Sequence, residues 1–403
     1  MSPAPFDLNL RHLRALSAVV AQGSLSAAAR SAGLSQPALT QGLSKLERQL
    51  GALLFERRSD GVTATARGAR MAARAAAAFE HLSAATRGAA RGSRGFTRPE
   101  HLMTATQLAG FRRLADSGSF ALAAVAGGLS QPAIHRAVRD LEQICATPLL
   151  ERRGRGVVMT VAGRRVARGI RLAASEIAAG IVEVGDEEQA GGHIAIGAMP
   201  LSRALVLPQA IARFVRQVPG TAIDVVEGSW RELVEPLRDG VIDLMIGALR
   251  DETPPGLEQR ALFVDRLVTV GRAGHPLAAE PDPSRAALAA YGWIVAAPGT
   301  PLRSRWDAMF AGGTLPATPI ECGSVMVIRG ILKDSDLLTL LSPDQVALEI
   351  ETGMLAAIGR PLAHGMRTIG ITTRRDWRPT AAQRALVALL ESAAHDTGVQ
   401  ENE

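Results

Sequence analysis

Near the start of this chain, amide and guanidinium side chains recur at fixed positions. Ser35-Gln36-Pro37 is followed by Thr40-Gln41 and then by Arg57-Arg58. A second set reads Ser130-Gln131-Pro132, His135-Arg136 and Arg152-Arg153. A primary amide donates and accepts in one plane, which matches the edge of an adenine, and a guanidinium fork matches a phosphate. Nothing beside these residues looks like bond-making machinery. No Gly-x-Ser-x-Gly elbow, phosphate loop or dinucleotide fingerprint occurs. Cys145 and Cys322 are the only cysteines and lie far apart, and the eight histidines lack metal-ligand spacing, so neither a disulfide framework nor a zinc site is expected.

The two sets are 95 residues apart, and that one offset holds without a gap from Leu13/Leu108 to Gly68/Gly163. Of those 56 positions, 21 are identical, including Gly23/Gly118, Ser24/Ser119, Leu46-Glu47/Leu141-Glu142 and Thr65/Thr160. An Ala-rich composition cannot hold one register that long, so the module is duplicated. In the first copy Leu10, Leu13, Leu16 and Val20 recur at helical spacing up to Gly23. Ser24 can cap a short helix to Ser31, Gly33 suits a left-handed turn, and Ser35 can cap a third helix with Pro37 in its first turn. Its buried stripe is Leu39, Leu43, Leu46 and Leu50, repeated as Ile134, Val138, Leu141 and Cys145. Asp60-Gly61 then reads as the turn of a hairpin, with Gly154-Arg155-Gly156 at the second tip, and Thr65 and Thr160 cap long Ala-rich helices.

Such a module is a winged helix-turn-helix. Its third helix can enter the major groove of duplex DNA, and its wing arginines suit phosphates or a narrow minor groove. Any three-helix domain needs glycine turns and a leucine stripe. Packing alone does not explain a polar Ser-Gln-Pro entry kept with an Arg-Arg wing in both copies. His135 reads equally well as an exposed helix residue without a role. Charge points the same way: residues 1–100 carry 14 Arg/Lys against 6 Asp/Glu, and residues 192–403 carry 20 against 24. A basic front on a mildly acidic remainder suits a polyanion, although an Arg-rich soluble surface would look similar.

Ser-Gln-Pro-Ala, Leu-Glu, Leu-Phe-x-Arg and the Thr-Ala helix start resemble the winged helix-turn-helix of LysR-type transcriptional regulators. The second copy departs from the pattern at Cys145-Ala146 and Leu150. The resemblance implies DNA contacts at Ser35, Gln36, Pro37, Thr40, Gln41, Arg57 and Arg58. In the second copy it implies contacts at Ser130, Gln131, Pro132, His135, Arg136, Arg152 and Arg153. Because His135-Arg136 replaces Thr40-Gln41, the copies are expected to read different bases or to bind with different strengths.

Beyond the hairpins, residues 83–100 are rich in Gly, Ser and Arg and read as a flexible basic linker, fit for tracking a phosphate backbone or simply for solubility. From Ala162 to about Gly185 the chain reads as an amphipathic helix with Val166, Ile170, Ala174, Ile177 and Ile181 on one side. The resemblance makes it a helix that pairs two subunits, and the stripe alone allows packing on its own domain. Strand and helix alternate from His193 onward, which predicts a parallel sheet covered on both faces. Glu227-Gly228-Ser229-Trp230 and Leu237-Arg238-Asp239-Gly240 resemble the family's effector domain, which is two-lobed and similar to type 2 periplasmic solute-binding proteins. That likeness implies effector contacts at Met199, Pro200, Ser202, Ser229, Thr300 and Ser324, with Arg303 placed to pair with a carboxylate. Serine at a helix start is, however, usually only a cap.

The expected fold is therefore multi-domain. A first winged helix-turn-helix with its helix spans 8–82, a linker 83–100, and a second winged module 101–161. A dimerisation helix follows at 162–190, and an α/β effector domain at 191–403. Lobe I is expected over 191–274 and about 357–403, and lobe II over about 275–356. The expected function is sequence-specific transcriptional regulation in response to a small effector, without a metal or cofactor. Expected partners are promoter DNA, RNA polymerase and a second copy or a tetramer of the chain. A duplicated reading module on such a body resembles regulators of a bacterial galactose-binding protein, which makes a sugar or small carboxylate the expected effector. One alternative is a DNA-binding protein whose C-terminal half serves assembly only, and a more distant one is an enzyme. No run of about 18 uncharged apolar residues is present. Residues 1–9 lack a signal pattern, so a cytoplasmic location is expected.

Overall fold

A computed structural model describes residues 3–58, 61–87, 96–154, 156–185, 192–199, 206–362 and 365–400. The chain divides into two compact units. One comprises residues 1–192 with the short turns 220–222 and 238–241, and the other is the remainder from His193.

The first unit contains both modules. Helices α1 (Leu10–Gln22), α2 (Leu25–Ala32) and α3 (Gln36–Leu50) are followed by a hairpin of β1 (Phe55–Arg58) and β2 (Gly61–Ala64), then by α4 (Ala66–Thr86). The second module repeats this as α5 (Ala105–Ser117), α6 (Phe120–Gly127), α7 (Gln131–Cys145), β3 (Leu150–Arg153), β4 (Gly156–Met159) and α8 (Val161–Val184). The expected caps form: Ser24, Ser35, Thr65, Ser119, Ser130 and Thr160 each accept a backbone amide from the first turn of the following helix. The paired Leu-Glu also has a structural cause. Glu47 Oε1 accepts the amides of Leu54 (2.9 Å) and Phe55 (3.3 Å), and Glu142 Oε1 accepts those of Leu149 (2.8 Å) and Leu150 (3.2 Å). Each glutamate thus ties its third helix to the root of its wing. Gly68 and Gly163 are dictated by contact, since a Cβ at either would lie 2.0 Å from the carbonyl oxygen of Leu54 or Leu149.

The two modules share one hydrophobic core, and the long helices α4 and α8 pack on each other antiparallel. Gly169 lies against Ala85 and His81, and Gly180 against Met71 and Arg74. The Arg74 side chain, 7% exposed, is held by Glu176 (3.0 Å) and by Glu183. Two expectations change here. Val166, Ile170, Ala174, Ile177 and Ile181 are buried as expected, but α4 of the same chain covers the helix predicted to pair two subunits. The segment 83–100 is also not wholly linker. Residues 83–86 are the last turn of α4, Pro99–His101 form a short helical turn packed on α4, and residues 88–95 lie outside the described residues. Gly, Ser and Arg say little about a boundary when an Ala-rich helix runs directly into them.

The second unit runs β5 (His193–Ala198), α9 (Val206–Gln217), β6 (Ala222–Glu227), α10 (Trp230–Arg238), β7 (Leu244–Ala248), β8 (Leu257–Arg266) and β9 (Val268–Arg272). It continues through α11 (Arg285–Ala289), β10 (Ile294–Val295), α12 (Pro301–Met309), β11 (Ile320–Glu321), α13 (Val325–Lys333) and β12 (Thr339–Leu341). It closes with α14 (Ala347–Glu351), β13 (Leu355–Ile358), β14 (Met366–Arg374) and α15 (Ala381–Gln400). The first lobe's sheet, β6-β5-β7-β14-β8, is mixed rather than parallel: β5 and β7 run parallel, while β14 is antiparallel to both β7 and β8. The second lobe has an antiparallel sheet, β12-β9-β13, and a parallel pair, β10 and β11.

The lobe limits therefore move. β9 and β13 belong to lobe II, so the chain crosses near Leu267 instead of 274 and returns after Ile358, before β14. One residue separates β8 from β9, and a crossing that short leaves no loop signal in the sequence. Asp265 pins it: buried, it accepts Ser342 Oγ at 2.7 Å from lobe II and Arg367 Nε at 2.5 Å from β14.

Adding one methyl at Gly163 is expected to cost about 1–3 kcal/mol, because backbone must move to admit it. In urea denaturation, Gly163→Ala should be less stable than the unaltered chain. Gly156→Ala, whose Cβ would meet only Arg153 O at 3.9 Å, should match the unaltered chain.

Candidate DNA interface and effector cleft

The third helices α3 and α7 bury one side and expose their starts. Ser35, Gln36, Pro37 and Gln41 are exposed and Thr40 half-buried, and Ser130, Gln131, Pro132, His135 and Arg136 are all exposed. Ser35 and Ser130 serve as caps, accepting the amides of Ala38 (3.3 Å) and Ala133 (3.4 Å). Thr40 Oγ1 donates to Gln36 O at 3.0 Å, so its methyl group remains to meet a partner. Arg152 and Arg153 are exposed on β3, and Arg57 and Arg58 occupy the matching places on β1. Asp60 and Arg155, at the wing tips, lie outside the described residues.

The copies differ in what surrounds the paired glutamines. Ser26 Oγ donates to Gln36 Oε1 at 2.8 Å, which orients the amide so that its nitrogen points away. Ala121 stands where Ser26 does, so Gln131 cannot be held that way. In the second copy the ring of His135 instead stacks on Phe120, with centroids 3.7 Å apart and planes 12° from parallel. His135 is therefore fixed on α6, not a loose surface residue. Further along the helix, exposed Lys45 is replaced by Asp140, which accepts Gln107 Nε2 at 3.2 Å, and Ser44 by Arg139. Ser26 and Phe120 escaped the sequence reading because each lies ten or more residues from its partner, on the preceding helix. Cys145 ends the buried stripe of α7, and burial pushes its thiol up to about 11, which makes it packing material and not a nucleophile.

In the second unit the expected effector residues gather at strand and helix ends. Met199 follows β5 and is buried against Gly247; Pro200 and Ser202 lie outside the described residues. Ser229, Thr300 and Ser324 each immediately precede a helix, α10, α12 and α13. The starts of α10 and α12 face each other from the two lobes, since Arg231 Nη2 comes within 3.8 Å of the place a Gly299 Cβ would take. The three hydroxyls are not equivalent. Thr300 is spent on its own loop, accepting Arg303 N at 3.3 Å and donating to Ala297 O at 2.7 Å. Ser324 makes no cap bond, which leaves the first amides of α13 without a side-chain acceptor from it. At Ser229 the amide donates to Glu232 Oε2 at 2.7 Å, and with the Ser229 hydroxyl, which also bonds that carboxylate, it keeps the Glu232 carboxyl below its ordinary value.

Arg303 has partners within its own segment. It pairs with Asp307 (3.0 Å) one turn on, lies over Trp306 and reaches Ala296 O, so its charge is already matched. An i,i+4 Arg–Asp pair on a helix is visible in sequence. Arg231 lies in the first turn of α10, and the half-buried Arg250, beyond β7, lies 4.9 Å over the Trp230 ring.

The profile described as the LysR substrate binding domain matches residues 187–394. The profile for the bacterial regulatory helix-turn-helix protein, lysR family, matches twice, at 10–69 and 105–164. The HTH-type transcriptional regulator GalR of Pseudomonas putida is 32% identical over 388 residues, 95% of this chain and 96% of its own length. The HTH-type transcriptional regulator PcaQ of Agrobacterium fabrum is 27% identical over 270 residues, covering 66% of this chain and 87% of its own. Solved structures share the fold. ArgP from Mycobacterium tuberculosis has a TM-score of 0.58 at 17% identity, covering 72% of this chain and 96% of that one. Full-length OxyR from Pseudomonas aeruginosa has a TM-score of 0.55 at 20% identity, covering 73% and 95%. Among the described residues no helix is long and apolar enough to cross a membrane. With two LysR-type helix-turn-helix modules, a LysR effector domain and a near full-length relative that is a transcriptional regulator, the chain belongs to the LysR family of transcriptional regulators.

Proposed function

We propose that this regulator reads promoter DNA with both modules. The base-facing set is Gln36, Pro37, Thr40 and Gln41 in one, and Gln131, Pro132, His135 and Arg136 in the other. Arg57, Arg58, Arg152 and Arg153 take phosphates or the minor groove, while Ser35 and Ser130 hold the helix starts in shape. The observation that carries this reading is the exposure of both polar helix starts on helices whose other sides are buried. A small carboxylate, or a sugar with an acidic group, is the proposed effector between the lobes. Its anion would meet the first amides of α13, which Ser324 leaves uncapped, and the Arg231 side chain. Ser229 and Thr300 would contribute backbone and loop shape, and Met199 the apolar floor. Closure of the lobes about the Asp265 crossing would then change how copies assemble as a homodimer or homotetramer, and with it DNA bending and contact with RNA polymerase. The setting is the cytoplasm.

Removing the bond that orients Gln36 should be measurable. A neutral hydrogen bond is worth roughly 0.5–1.5 kcal/mol, so Ser26→Ala should weaken binding to a preferred duplex about three- to tenfold in a gel-shift titration. Unchanged affinity and unchanged base preference would remove Gln36 from the reading set.

A thermal-shift screen of small carboxylates and sugars tests the effector site. A ligand at 100 times its Kd should stabilise the effector domain by about 2.7 kcal/mol. Arg231→Ala should reduce that shift. If no compound stabilises the protein, regulation without a small-molecule input becomes the better account.

A further inference from the structure

Equivalent residues of the two modules exchange partners across α4 and α8. Gly169 lies against His81 and Ala85. Shifting every residue to its counterpart in the other copy, 95 positions away, converts that contact into Arg74 against Glu176 and Gly180. Both of those contacts exist: Arg74 Nη1 is 3.0 Å from Glu176, and a Cβ on Gly180 would lie 3.1 Å from Arg74 Cβ. Arg70 and Arg165 are also counterparts. Each donates its Nε to a main-chain carbonyl near the far end of the opposite helix, Glu183 O at 3.3 Å and Ala85 O at 2.9 Å. The segments that lead into the modules are exchanged in the same way. Pro5–Asp7, before the first module, packs on α5 and α8 of the second, with Phe6 under Arg112. Pro99–His101, before the second module, packs on α4 of the first, and His101 O accepts from Arg14.

A contact pattern that survives exchange of the two halves is isologous, and the operation relating the halves is a two-fold rotation. The modules of one chain are therefore arranged as two subunits of a symmetric dimer would be, and the same axis relates α3 to α7. Duplex DNA has two-fold axes of its own, so dyad-related reading helices meet two half-sites in opposite orientation. The side chains they bring are unlike: Gln36-Thr40-Gln41 with Ser26 behind Gln36, and Gln131-His135-Arg136 with Phe120 behind His135.

We propose that one chain alone recognises an inverted pair of non-identical half-sites, its two modules serving as a dimer made within a single polypeptide. This rests on the reading that both modules bind DNA, and the experiment separates the two. The full chain is used to select duplexes from a random-sequence library. Enriched duplexes should carry two unlike half-sites in opposite orientation, and Gln36→Ala and Gln131→Ala should each weaken the selected duplex about tenfold, each through a different half-site. Mixing the two variant chains after denaturation and refolding together should restore nothing, because every pair formed in cis keeps one damaged head. Recovery of tight binding in the mixture would show that the pairs form between chains and would overturn the proposal. So would a selected site with two identical half-sites, or a Gln131→Ala chain that binds as the unaltered one does. Enrichment of no sequence would remove the DNA-reading assignment itself, and this proposal with it.

Discussion

One buried arginine constrains the whole N-terminal unit. Arg74 sits in the seam between α4 and α8 with its guanidinium held by Glu176 and Glu183. Taking such charges out of water is expensive, and only close, well-directed partners offset it. Removing one partner of a buried pair of this kind typically costs about 3–5 kcal/mol, because the other charge is left stranded. The two glutamates come from the second module and the arginine from the first, so neither module can satisfy these groups alone. Close approach is what makes the pairing possible, and Gly169 and Gly180 provide it by leaving no side chain where Ala85, Met71 and Arg74 must lie. Apolar packing around the seam supplies stability, and the ion pair supplies register. A slip of one turn would detach the arginine from both carboxylates.

From that fixed seam the reading heads follow by short, stiff links. Thr160 Oγ1 caps α8 by accepting the Gly163 amide and also donates to Pro148 O, while Glu142 ties the end of α7 to the wing strand. Thr65 and Glu47 do the same in the first copy. Each wing and third helix is thus anchored to its own long helix, and the long helices are anchored to each other. The spacing between the two helix starts is a property of the folded unit and is not set by the length of chain between them.

Much of this could be read from residues, and the limits have physical causes. The offset of 95 exposed both modules and their caps, because Ser, Thr and Gly at helix ends act locally and need no knowledge of the partner. The stripe from Val166 to Ile181 announced a buried face, but an apolar stripe looks the same whether the covering helix belongs to a second chain or to the same one. The informative residues were the ones that break the pattern: Arg74 in an alanine run, Gly169 and Gly180 within a helix. In the effector domain, serine at a helix start was rightly ambiguous. Thr300 turned out to be a cap, Ser324 not, and only coordinates separate the two. Arg303 has an Asp307 partner four residues on, and a pair within one helix is legible from spacing alone. The lobe crossing at Leu267 was illegible, since two strands joined by one residue read as one.

Placing both heads in one chain also changes what the heads can become. In a dimer of identical subunits the two readers share one gene, so every substitution in the reading helix appears on both half-sites at once. Here the copies can change separately while the seam keeps them paired. The record of that freedom is uneven along the module. Ser-Gln-Pro-Ala, Leu-Glu and Glu-Arg-Arg, which set the helix entry, the wing anchor and the wing charge, are the same in both. Thr40 against His135, Gln41 against Arg136 and Lys45 against Asp140 are not. On the proposed reading, in which both modules bind DNA, tethering adds a second effect: once one head is seated, the other engages from within the same molecule, at an effective concentration fixed by the seam and not by the amount of protein. A head with weaker intrinsic affinity can then persist and specialise, because it never has to find its half-site alone.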